Sequence, residues 1–412
     1  MLLVAPSGSY RIAPYVSAAS ALGMGIVVVS NSEHSLVAAV ASGIAVDFSR
    51  PEQAFATIID ELDSLTIACV LATDDSCVEL CSRLASHLGL PHNSPLAAEL
   101  THRKDLAREA LQRAGCNTPQ FQVLPIKQIT PELLTIDFPV VLKPLGLSAS
   151  RGVIRVDSDA TLIAASRRIE AILESSGLRG FTRDHLLIES YIDGAEYAIE
   201  GFMMDGHFQL LTIFDKPEPL TGPYFEETYY LTPGKLVGQA KRDLLTEVAR
   251  CCSAYGLHQG PVHAEARISA DGRVTLLELA ARTIGGQCGQ LIEFSLRHKL
   301  EELVIQGMCG QLPELHNKGE SAGVLMIPVT DAGILKRVEG LTEAMQVEYV
   351  KDIEIHIRPG YELIPLPEGS SYLGFIFAQA PDYEQTYSAL KQAYARLRFI
   401  TQAKWDLESI AG

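Results

Sequence analysis

Basic residues are scarce in this sequence, and their scarcity excludes one class of partner. The 412 residues include 34 Lys and Arg against 50 Asp and Glu, which gives a formal net charge of −16 at pH 7. A chain this acidic has no broad electropositive surface, so duplex nucleic acid is excluded as its main partner. A phosphate-binding pocket is still compatible with this charge, because such a pocket needs only a few local cations.

The sequence also lacks metal-binding cysteine motifs and long hydrophobic segments. Its eight cysteines form no Cys-x-x-Cys pair and no Cys/His run with zinc spacing, so we interpret them as reduced core residues. Residues 1–6 contain no basic region, and the apolar stretch 16–29 is interrupted by Gly23 and Gly25 and is too short to span a bilayer. We therefore expect a cytoplasmic protein that is not bound to a membrane.

The composition that is present suits two or three globular domains. Hydrophobic residues make up 47% and charged residues 20% of the chain, which is enough apolar material for several cores. Near the N-terminus, short apolar runs alternate with helical patterns; the runs lie at 2–5, 25–29 and 67–71, and the helical patterns at 13–22, 36–41, 52–62 and 78–88. This alternation predicts an open parallel sheet with helices on both faces, although its first loop lacks the GxGxxG dinucleotide motif.

The pattern changes after Pro95. A helix is predicted over 104–114, with Gly115 as its C-cap. Beyond it, strands at 140–143, 153–156, 186–189, 197–204 and 208–214 and helices at 160–174 and 236–255 predict an antiparallel α+β region, followed by strands at 323–328 and 373–378 and a helix at 382–397. The expected fold class is therefore α/β plus α+β, with domains at 1–93, 94–313 and 314–412.

A predicted hairpin within 260–282 places two acidic residues opposite each other. Asp271-Gly272 lies between alternating apolar runs, which predicts a two-residue turn. Counting outward from such a turn, Glu265 faces Glu278 in a non-hydrogen-bonded pair with Cα atoms about 4.5 Å apart. Like charges this close destabilise a hairpin unless a cation offsets them, and Mg²⁺ prefers oxygen ligands. A longer turn would instead shift the register and point one glutamate to solvent.

Cations and small residues near the predicted strands favour an anion site. Arg282 lies shortly after Glu278, where its guanidinium either grips phosphate or forms an ordinary surface ion pair. Lys143 ends an apolar strand, and the loop 144–152 after it contains glycines, serines and Arg151. Backbone N–H groups of such a loop can approach an anion closely. No Walker A motif is present, and a flexible turn is the alternative interpretation.

Other residues near these motifs have two interpretations each. The strand at 186–189 leads through an acidic and aromatic connector into a second strand, a pattern that suits adenine and ribose binding but also a plain turn. His263 shares a strand face with Glu265, either as a general base or substrate contact or as the structural partner of a nearby acid. Asp215-Lys216 is either a phosphate or substrate contact or a solvated ion pair.

In this order, the three elements resemble the ATP-grasp superfamily, and the resemblance covers most of the chain. It implies an ATP-grasp fold with an N-terminal open parallel-sheet domain, a lid subdomain over about 116–190, and a small C-terminal α+β domain that completes the ligase core. It also implies that the chain binds ATP together with Mg²⁺, for which Mn²⁺ is a substitute.

The resemblance further implies a role for individual residues. It places Lys104 and Lys143 on the ATP phosphates, under a mobile loop that contains Ser148, Ser150, Arg151 and Gly152. Glu189, Tyr191 and Ile192 then belong to the adenine hinge, Glu196 is the ribose-binding acid, and Glu265 and Glu278 are the magnesium ligands. Catalytic roles fall to Arg282, Lys143 and His263, and substrate-binding roles to Glu227, Tyr230, Arg282, Gly285 and Gly286.

Within the superfamily, the chain resembles the carboxylate–amine ligases of the L-amino-acid-ligase type. Ala280 stands where biotin carboxylases and D-alanine–D-alanine ligases carry a metal-binding asparagine, and Gly285 and Gly286 resemble a pair that frames the acyl site. The loop 224–230 resembles a Glu-Thr-Gly-His substrate loop, but Tyr229 and Tyr230 replace its last two residues.

This resemblance implies an enzyme that joins a small carboxylate to an amine through an acyl phosphate, releasing ADP and phosphate. The partners expected are the two small-molecule substrates, with a homodimer left open. Because the reaction needs no thiol nucleophile, we interpret Cys288 as a packing residue. Two alternatives remain: a biotin-carboxylase-like subunit that phosphorylates bicarbonate, and an ATP-binding regulatory protein without turnover.

Overall fold

The structure is a computed structural model that describes residues 1–31, 42–63, 65–315 and 319–404, and the helix expected at 36–41 lies outside these residues. The strands are β1 (Leu2–Val4), β2 (Val27–Ser30), β3 (Ser42–Ala45), β4 (Val70–Ala72), β5 (Phe121–Pro125), β6 (Val140–Pro144), β7 (Ile154–Val156), β8 (His185–Ser190), β9 (Ala195–Met204), β10 (His207–Asp215), β11 (Tyr229–Thr232), β12 (Gly260–Ile268), β13 (Val274–Ala280), β14 (Ser321–Ile327), β15 (Gly333–Glu339), β16 (Val350–Ile355), β17 (Glu362–Leu363), β18 (Gly374–Ala380) and β19 (Arg398–Gln402). The helices are α1 (Ile12–Ala21), α2 (Pro51–Glu61), α3 (Asp75–His87), α4 (Pro95–Leu100), α5 (Lys104–Arg113), α6 (Asp159–Glu174), α7 (Phe181–Asp184), α8 (Gly238–Tyr255), α9 (Gly289–Leu296), α10 (Leu300–Met308), α11 (Leu341–Met345) and α12 (Tyr383–Tyr394).

The chain divides into two compact units, and both are discontinuous in sequence. Unit 1 consists of Met1–Pro119, Glu196–Phe214 and Lys235–Lys318, and unit 2 of Gln120–Ala195, Asp215–Gly234 and Gly319–Gly412. Each unit is described by itself below.

Unit 1 begins with the predicted parallel sheet. Its strands lie in the order β3-β2-β1-β4, and all neighbouring pairs are parallel. Continuous apolar runs form β1 and most of β2, which are buried because helices such as α2 and α3 cover the sheet. The edge strand β3 was not predicted, since its sequence Ser-Gly-Ile-Ala is short and largely exposed. The loops after β1 and β4 leave the carboxyl edge of this sheet, where α/β folds place functional groups.

A second sheet of unit 1 contains β13, β12, β9 and β10 in this order. Helices α5 and α8 pack on it around a core that includes Leu111, Val248 and Ala264. The predicted helix at 104–114 is confirmed as α5, and Gly115 follows it with a φ of 69°, which suits a glycine C-cap.

Unit 2 contains two antiparallel sheets and a smaller third one, as the α+β prediction requires. One sheet has the order β5-β8-β6-β7 and is covered by α6. Strands β11, β14, β18 and β16 lie in this order beside α12, and β17, β15 and β19 form the third sheet. Strands β15, β16 and β19 were missed because polar residues interrupt their apolar alternation and much of each strand is exposed.

The eight cysteines are free thiols, and all except the partly exposed Cys309 are buried, as expected for reduced core residues. Within the described ranges, the helices are either too short or too polar to cross a bilayer.

Candidate active site

The predicted acidic pair is present in unit 1. Glu265 on β12 lies directly opposite Glu278 on β13 in an antiparallel ladder. The Glu265 side chain is 19% exposed and that of Glu278 is 39% exposed, so both carboxylates remain accessible. Two carboxylates held side by side at a partly exposed position supply the hard oxygen donors that Mg²⁺ and Mn²⁺ prefer.

The turn of this hairpin differs from the prediction. Ser269 N donates a hydrogen bond to Arg273 O at 3.0 Å, so the loop contains three residues, 270–272, and the two-residue turn was wrong. Gly272, with a φ of 84°, occupies the left-handed position that three-residue hairpin loops require. A bulge at Leu277 then adds one residue to β13, and the predicted register returns beyond it.

Residues outside the hairpin form hydrogen bonds with the backbone groups at the bulge. Arg108 on α5 donates a hydrogen bond to the carbonyl of Leu277, and Leu276 N donates one to Asn117 O at 3.2 Å. These contacts satisfy groups that the interrupted ladder leaves unpaired. The extra residue in the loop and the extra residue in the strand cancel, which is why Glu265 and Glu278 still face each other.

A buried histidine connects the acidic pair to the interior of unit 1. His263 Nδ1 lies 3.2 Å from a carboxylate oxygen of Glu200, and its Nε2 lies 3.5 Å from Glu265 Oε1. Burial opposes the charged imidazolium, but the two carboxylates outweigh burial and raise the pKa of His263 to about 9. Glu200 is fully buried on β9 and also accepts a hydrogen bond from Ile284 N at 3.1 Å. The geometry therefore agrees with the interpretation of His263 as the structural partner of a nearby acid, which is Glu200.

We expect Glu200→Gln to lower the free energy of unfolding by roughly 3 kcal/mol, because it removes the nearer carboxylate partner of buried His263 and leaves only Glu265, at 3.5 Å, to balance the imidazolium. Denaturant-induced unfolding followed by circular dichroism measures the change. The matched control is Glu79→Gln, since Glu79 is exposed on α3 of the same unit. Equal unfolding free energies for the two variants would contradict the prediction.

Arg282 lies two residues after the end of β13. Its side chain is held by a residue from the N-terminal part of unit 1. Its Nε lies 2.9 Å from Asp75 Oδ1, and its Nη1 donates to Thr283 O at 3.0 Å. Burial disfavours the charged guanidinium, but Asp75 and Glu278 outweigh this effect and raise the pKa of Arg282. Arg282 is thus a permanently charged group with a fixed orientation, not a surface ion pair.

A second arginine holds the segment that follows. Arg11, in the loop after β1, donates from Nη1 to Thr73 O at 2.8 Å and from Nη2 to Ile284 O at 3.3 Å. A Cβ atom placed on Gly285 would lie 3.4 Å from Arg11 Nη2. Gly286 follows with a φ of 59°. The predicted glycine pair therefore lies where the backbone is packed closely against an arginine.

Sequence analysis missed Glu200, Asp75 and Arg11. A usable signal existed for Asp75, because Thr73-Asp74-Asp75 directly follows β4, at the edge where parallel sheets place functional residues. Arg11 follows β1 in the same way. Nothing local distinguishes Glu200 from Glu196, the other acidic residue on β9.

Two other predicted nucleotide contacts belong to unit 1. Lys104, the first residue of α5, has its Nζ 4.0 Å from Glu278 Oε1. Glu196 on β9 is buried, forms an ion pair with Arg267 Nε at 2.8 Å, and has a carboxylate oxygen within 4.8 Å of one on Glu265. Cys288 is fully buried at the start of α9, as expected for a packing residue.

The residues of unit 2 that are predicted to bind phosphate include a buried ion pair. Lys143 on β6 has its Nζ 2.6 Å from Glu189 Oε2 on the neighbouring strand β8, and the Glu189 side chain is 2% exposed. Beyond Glu189, Tyr191 N donates to Pro139 O, and the guanidinium of Arg155 lies 4.1 Å from the centroid of the Tyr191 ring. Ile192 follows in the same connector between β8 and β9.

The loop after β6 is bent sharply over Ser148–Gly152. Ala149, Ser150 and Gly152 all have positive φ angles, of 53°, 54° and 73°. Arg151 Nε donates to Glu368 O at 2.9 Å, and Gly152 N donates to Pro367 O at 2.9 Å. The loop is thus anchored to a C-terminal segment of unit 2, a contact that sequence analysis did not predict.

We expect Gly152→Ala to lower the free energy of unfolding by about 1–3 kcal/mol more than Gly177→Ala. Both glycines have left-handed φ angles, 73° and 77°, so the backbone strain is matched. Only at Gly152 would the added Cβ collide, at 2.8 Å from Pro144 Cγ, whereas nothing lies within 4 Å at Gly177. Denaturant titration of the two variants measures the difference, and equal losses would show that the loop has room to adjust.

The predicted substrate residues of unit 2 are already engaged with each other. Glu227 forms an ion pair with Lys216, whose side chain is only 3% exposed, and Lys216 Nζ lies 5.1 Å from the ring centroid of Tyr230. Tyr230 is itself 2% exposed. Lys216 is therefore not a solvated residue, but a buried cation at the predicted substrate loop.

Comparison with known families agrees with this arrangement. A model for the ATP-grasp N-terminal domain matches residues 16–92, a model for the ATP-grasp domain matches 136–290, and a model for the L-amino acid ligase C-terminal domain 2 matches 325–402. These three segments lie within the three domains expected from the sequence, in the same order.

Relatives with known names are ligases. The chain is 26% identical over 318 residues to dapdiamide A synthase of Enterobacter agglomerans, covering 74% of this chain and 73% of that protein. It is 25% identical over 281 residues to alanine–anticapsin ligase of Bacillus subtilis strain 168, but the match spans only 58% of that protein's length.

A crystal structure of an L-amino acid ligase from Bacillus licheniformis matches the fold with a TM-score of 0.81 and 26% identity, over 97% of this chain and 98% of that one. The fold that carries the acidic strand pair, the oriented arginine and the glycine-containing loop is therefore similar to that of a solved L-amino acid ligase. The chain thus contains an ATP-grasp domain and the C-terminal domain of the L-amino acid ligases, and its named relatives are ligases that form carbon–nitrogen bonds.

Proposed function

We propose that this chain is an ATP-dependent carboxylate–amine ligase that forms an amide through an acyl phosphate, with an amino acid or another small carboxylic acid as substrate. The observation that carries the proposal is the group of Glu265, Glu278 and Arg282 in unit 1, where two facing carboxylates lie near a fixed guanidinium. The similarity to an L-amino acid ligase over almost the whole chain supports it.

The acidic pair fits a divalent cation by the chemistry of its donors. Glu265 and Glu278 offer carboxylate oxygens on one sheet face, and an unneutralised pair of this kind would repel. They would hold Mg²⁺, or Mn²⁺ in its place. Such an ion supplies charge neutralisation to the phosphates of ATP.

The reaction follows from the weakness of a carboxylate as an electrophile. A substrate carboxylate oxygen attacks the γ-phosphorus of ATP, the bond to the β,γ-bridging oxygen breaks, and ADP leaves. An amine then attacks the acyl carbon, inorganic phosphate leaves with the electron pair, and the amine gives up a proton. Arg282 would stabilise the negative charge that develops on the transferred phosphoryl group and on the tetrahedral oxygen. Its fixed orientation by Asp75 means that little reorganisation accompanies the step.

Unit 2 supplies groups of the kind that bind a nucleotide. Lys143 would bind the phosphates, exchanging its contact with Glu189 for a phosphate oxygen, and the N–H groups of the loop Ser148–Gly152 would cover them. Tyr191 and Ile192 would flank the adenine. Glu196, in unit 1, would bind the ribose or support Glu265, since its carboxylate is near both Arg267 and Glu265.

The residues of the predicted substrate loop indicate which substrates the site would bind. Glu227 would bind a substrate amino group in place of Lys216, and the ring of Tyr230 adds apolar bulk beneath it. A site of this composition suits a substrate with one ammonium group and a modest side chain. The name of one relative, alanine–anticapsin ligase, gives the amino acid alanine as one of the two molecules that it joins.

The test is a screen of phosphate release from ATP with pairs of amino acids and small carboxylic acids, followed by mass spectrometry of the products. An amide product whose formation matches phosphate release supports the proposal. Release that depends on bicarbonate and on no amine would favour the bicarbonate-phosphorylating alternative. Nucleotide binding without release for any pair would favour a regulatory protein.

A further inference from the structure

A cavity of about 450 Å³ in unit 2 lies outside the groups assigned to catalysis. It opens between residues 356–362 and the segment 364–371, and Arg151 of the predicted phosphate loop forms part of its wall. This volume is within the range of small-molecule sites. The lining contains cationic, hydroxyl and apolar side chains together, which is the composition of a site for a molecule with one charged end.

The charges around the cavity leave a positive excess. Its two carboxylates are neutralised, because Glu368 binds Arg168 at 2.5 and 2.9 Å and Glu362 binds Lys404 at 2.9 and 3.0 Å. The guanidinium of Arg358 forms no hydrogen bond or ion pair with any residue in the described ranges. An unpaired guanidinium of this kind can donate charge-assisted hydrogen bonds to an anion.

The cavity also presents apolar surface to solvent. Tyr361 is 63% exposed and Ile364 47% exposed, and Ile357 lies beside them in the lining. A ligand that covers such side chains gains about 25 cal/mol per Å² of apolar area removed from water. Inorganic phosphate would gain nothing from them, whereas a carboxylate with an aliphatic group would use both parts of the site.

The lining is connected to the predicted phosphate loop by direct contacts. Arg151 Nε donates to Glu368 O, and Gly152 N donates to Pro367 O, each at 2.9 Å. The segment 364–372 also lines a smaller cavity together with Ala149 of the loop and Glu226 of the substrate loop. A ligand in the larger cavity therefore touches the same segment that anchors the loop.

We propose that this cavity is a second binding site, for a small carboxylate that carries an aliphatic group, and that its occupancy holds the loop Ser148–Gly152 against the C-terminal segment. Arg358 binds the carboxylate, and Tyr361 and Ile364 cover the aliphatic part. The binding step is independent of the proposed function, whereas the role of Ser148–Gly152 as a loop that covers phosphates rests on it.

Isothermal titration calorimetry of the full chain with isocaproate, without nucleotide, tests the binding. Wild type should bind isocaproate, and Arg358→Gln should weaken it by about tenfold or more, since a charge-assisted hydrogen bond is lost. The matched control Arg337→Gln removes another exposed arginine of unit 2 and should bind like wild type. Equal affinity of wild type and Arg358→Gln overturns the proposal, as does equal binding of the neutral isocaproamide.

Two further arms separate this site from its alternatives. Arg282→Gln removes the guanidinium of the proposed catalytic site and should leave isocaproate binding intact. Loss of binding in that variant assigns the binding to the catalytic site and overturns the proposal. If inorganic phosphate binds as tightly as isocaproate, the proposed contact of Tyr361 and Ile364 with an aliphatic group is overturned. If the screen for ligase activity fails while these results hold, only the proposed function is wrong.

Tryptic cleavage after Arg151 tests the connection to the loop. Saturating isocaproate should slow this cleavage several-fold in wild type, because the bound ligand holds Arg151 in the cavity wall, and should have no effect in Arg358→Gln. An unchanged cleavage rate in wild type at saturation overturns the coupling.

Discussion

Glu278→Gln is expected to lower ATP-dependent phosphate release by about two to three orders of magnitude. The glutamine keeps the size of the side chain but removes one of the two charges that face each other across β12 and β13. A single carboxylate, Glu265, then remains to bind the divalent ion. The measurement is phosphate release at saturating ATP with the most active substrate pair, as a function of Mg²⁺ concentration.

The same variant should unfold within about 1 kcal/mol of wild type when no divalent ion is present. Removing one of two facing like charges relieves a repulsion of about 0.2–1 kcal/mol, but it also removes the attraction of Glu278 to Lys104 and Arg282. Added Mg²⁺ should raise the melting temperature of wild type but not of the variant, because only a bound ion stabilises the folded state. Loss of activity with retained stability would separate catalysis from folding.

Glu109→Gln is the matched control, because Glu109 is an exposed acid of the same unit that pairs only with Arg113 in the described part of the chain. It should keep wild-type activity. Full activity of Glu278→Gln at ordinary Mg²⁺ concentrations would overturn the metal assignment.

Arg282→Lys is expected to lower kcat by about a hundredfold, and Arg282→Gln by about a thousandfold. Lysine keeps the charge, but it cannot donate to Asp75 and Thr283 in two directions and still present a planar donor pair to an oxyanion. The KM for ATP should change less than kcat, since the interaction is expected to form mainly in the transition state. Steady-state kinetics with the same substrate pair measures both parameters.

Arg113→Lys is the control for this change, because Arg113 lies on the surface of α5 in the same unit and its side chain is 75% exposed. It should have wild-type kinetics. Circular dichroism should show that Arg282→Lys is folded. If Arg282→Lys matched wild type in kcat, charge alone would suffice and the orienting role of Asp75 would be contradicted.

The hairpin of β12 and β13 shows that sequence analysis can pair two residues correctly even though the predicted turn is wrong. The Asp271-Gly272 dipeptide indicated a turn, and the turn is there, but it is one residue longer than predicted. A longer turn alone would have rotated one glutamate away. The bulge at Leu277 prevents this, and the Leu277 carbonyl accepts a hydrogen bond from Arg108, a residue far away in sequence. Nothing in the sequence of the hairpin itself predicts the bulge.

The groups around Arg282 show a different limit. The motif pointed to a cation near the acidic pair, and the structure confirms that the cation is there. Its partner Asp75 is the first residue of α3, and Arg11, from the loop after β1, holds Ile284 two residues further on. Both lie more than two hundred residues away in sequence from the residues that they contact. Pattern analysis sees spacing along one strand or helix, and it does not see which loops of a distant sheet edge point toward that strand.

The sequence by itself determined the local elements and the fold family: helix α5 with its glycine cap, the parallel sheet of β1, β2 and β4, and the order of the ATP-binding motifs. These features depend on neighbours within a few residues, since caps, turns and apolar periodicity act at short range. Only the tertiary structure decided the Glu200–His263 pair, the fixing of Arg282 by Asp75, and the cavity beside Arg358. Each of these requires residues from distant segments to meet in one place, and that meeting is set by how the units pack their cores.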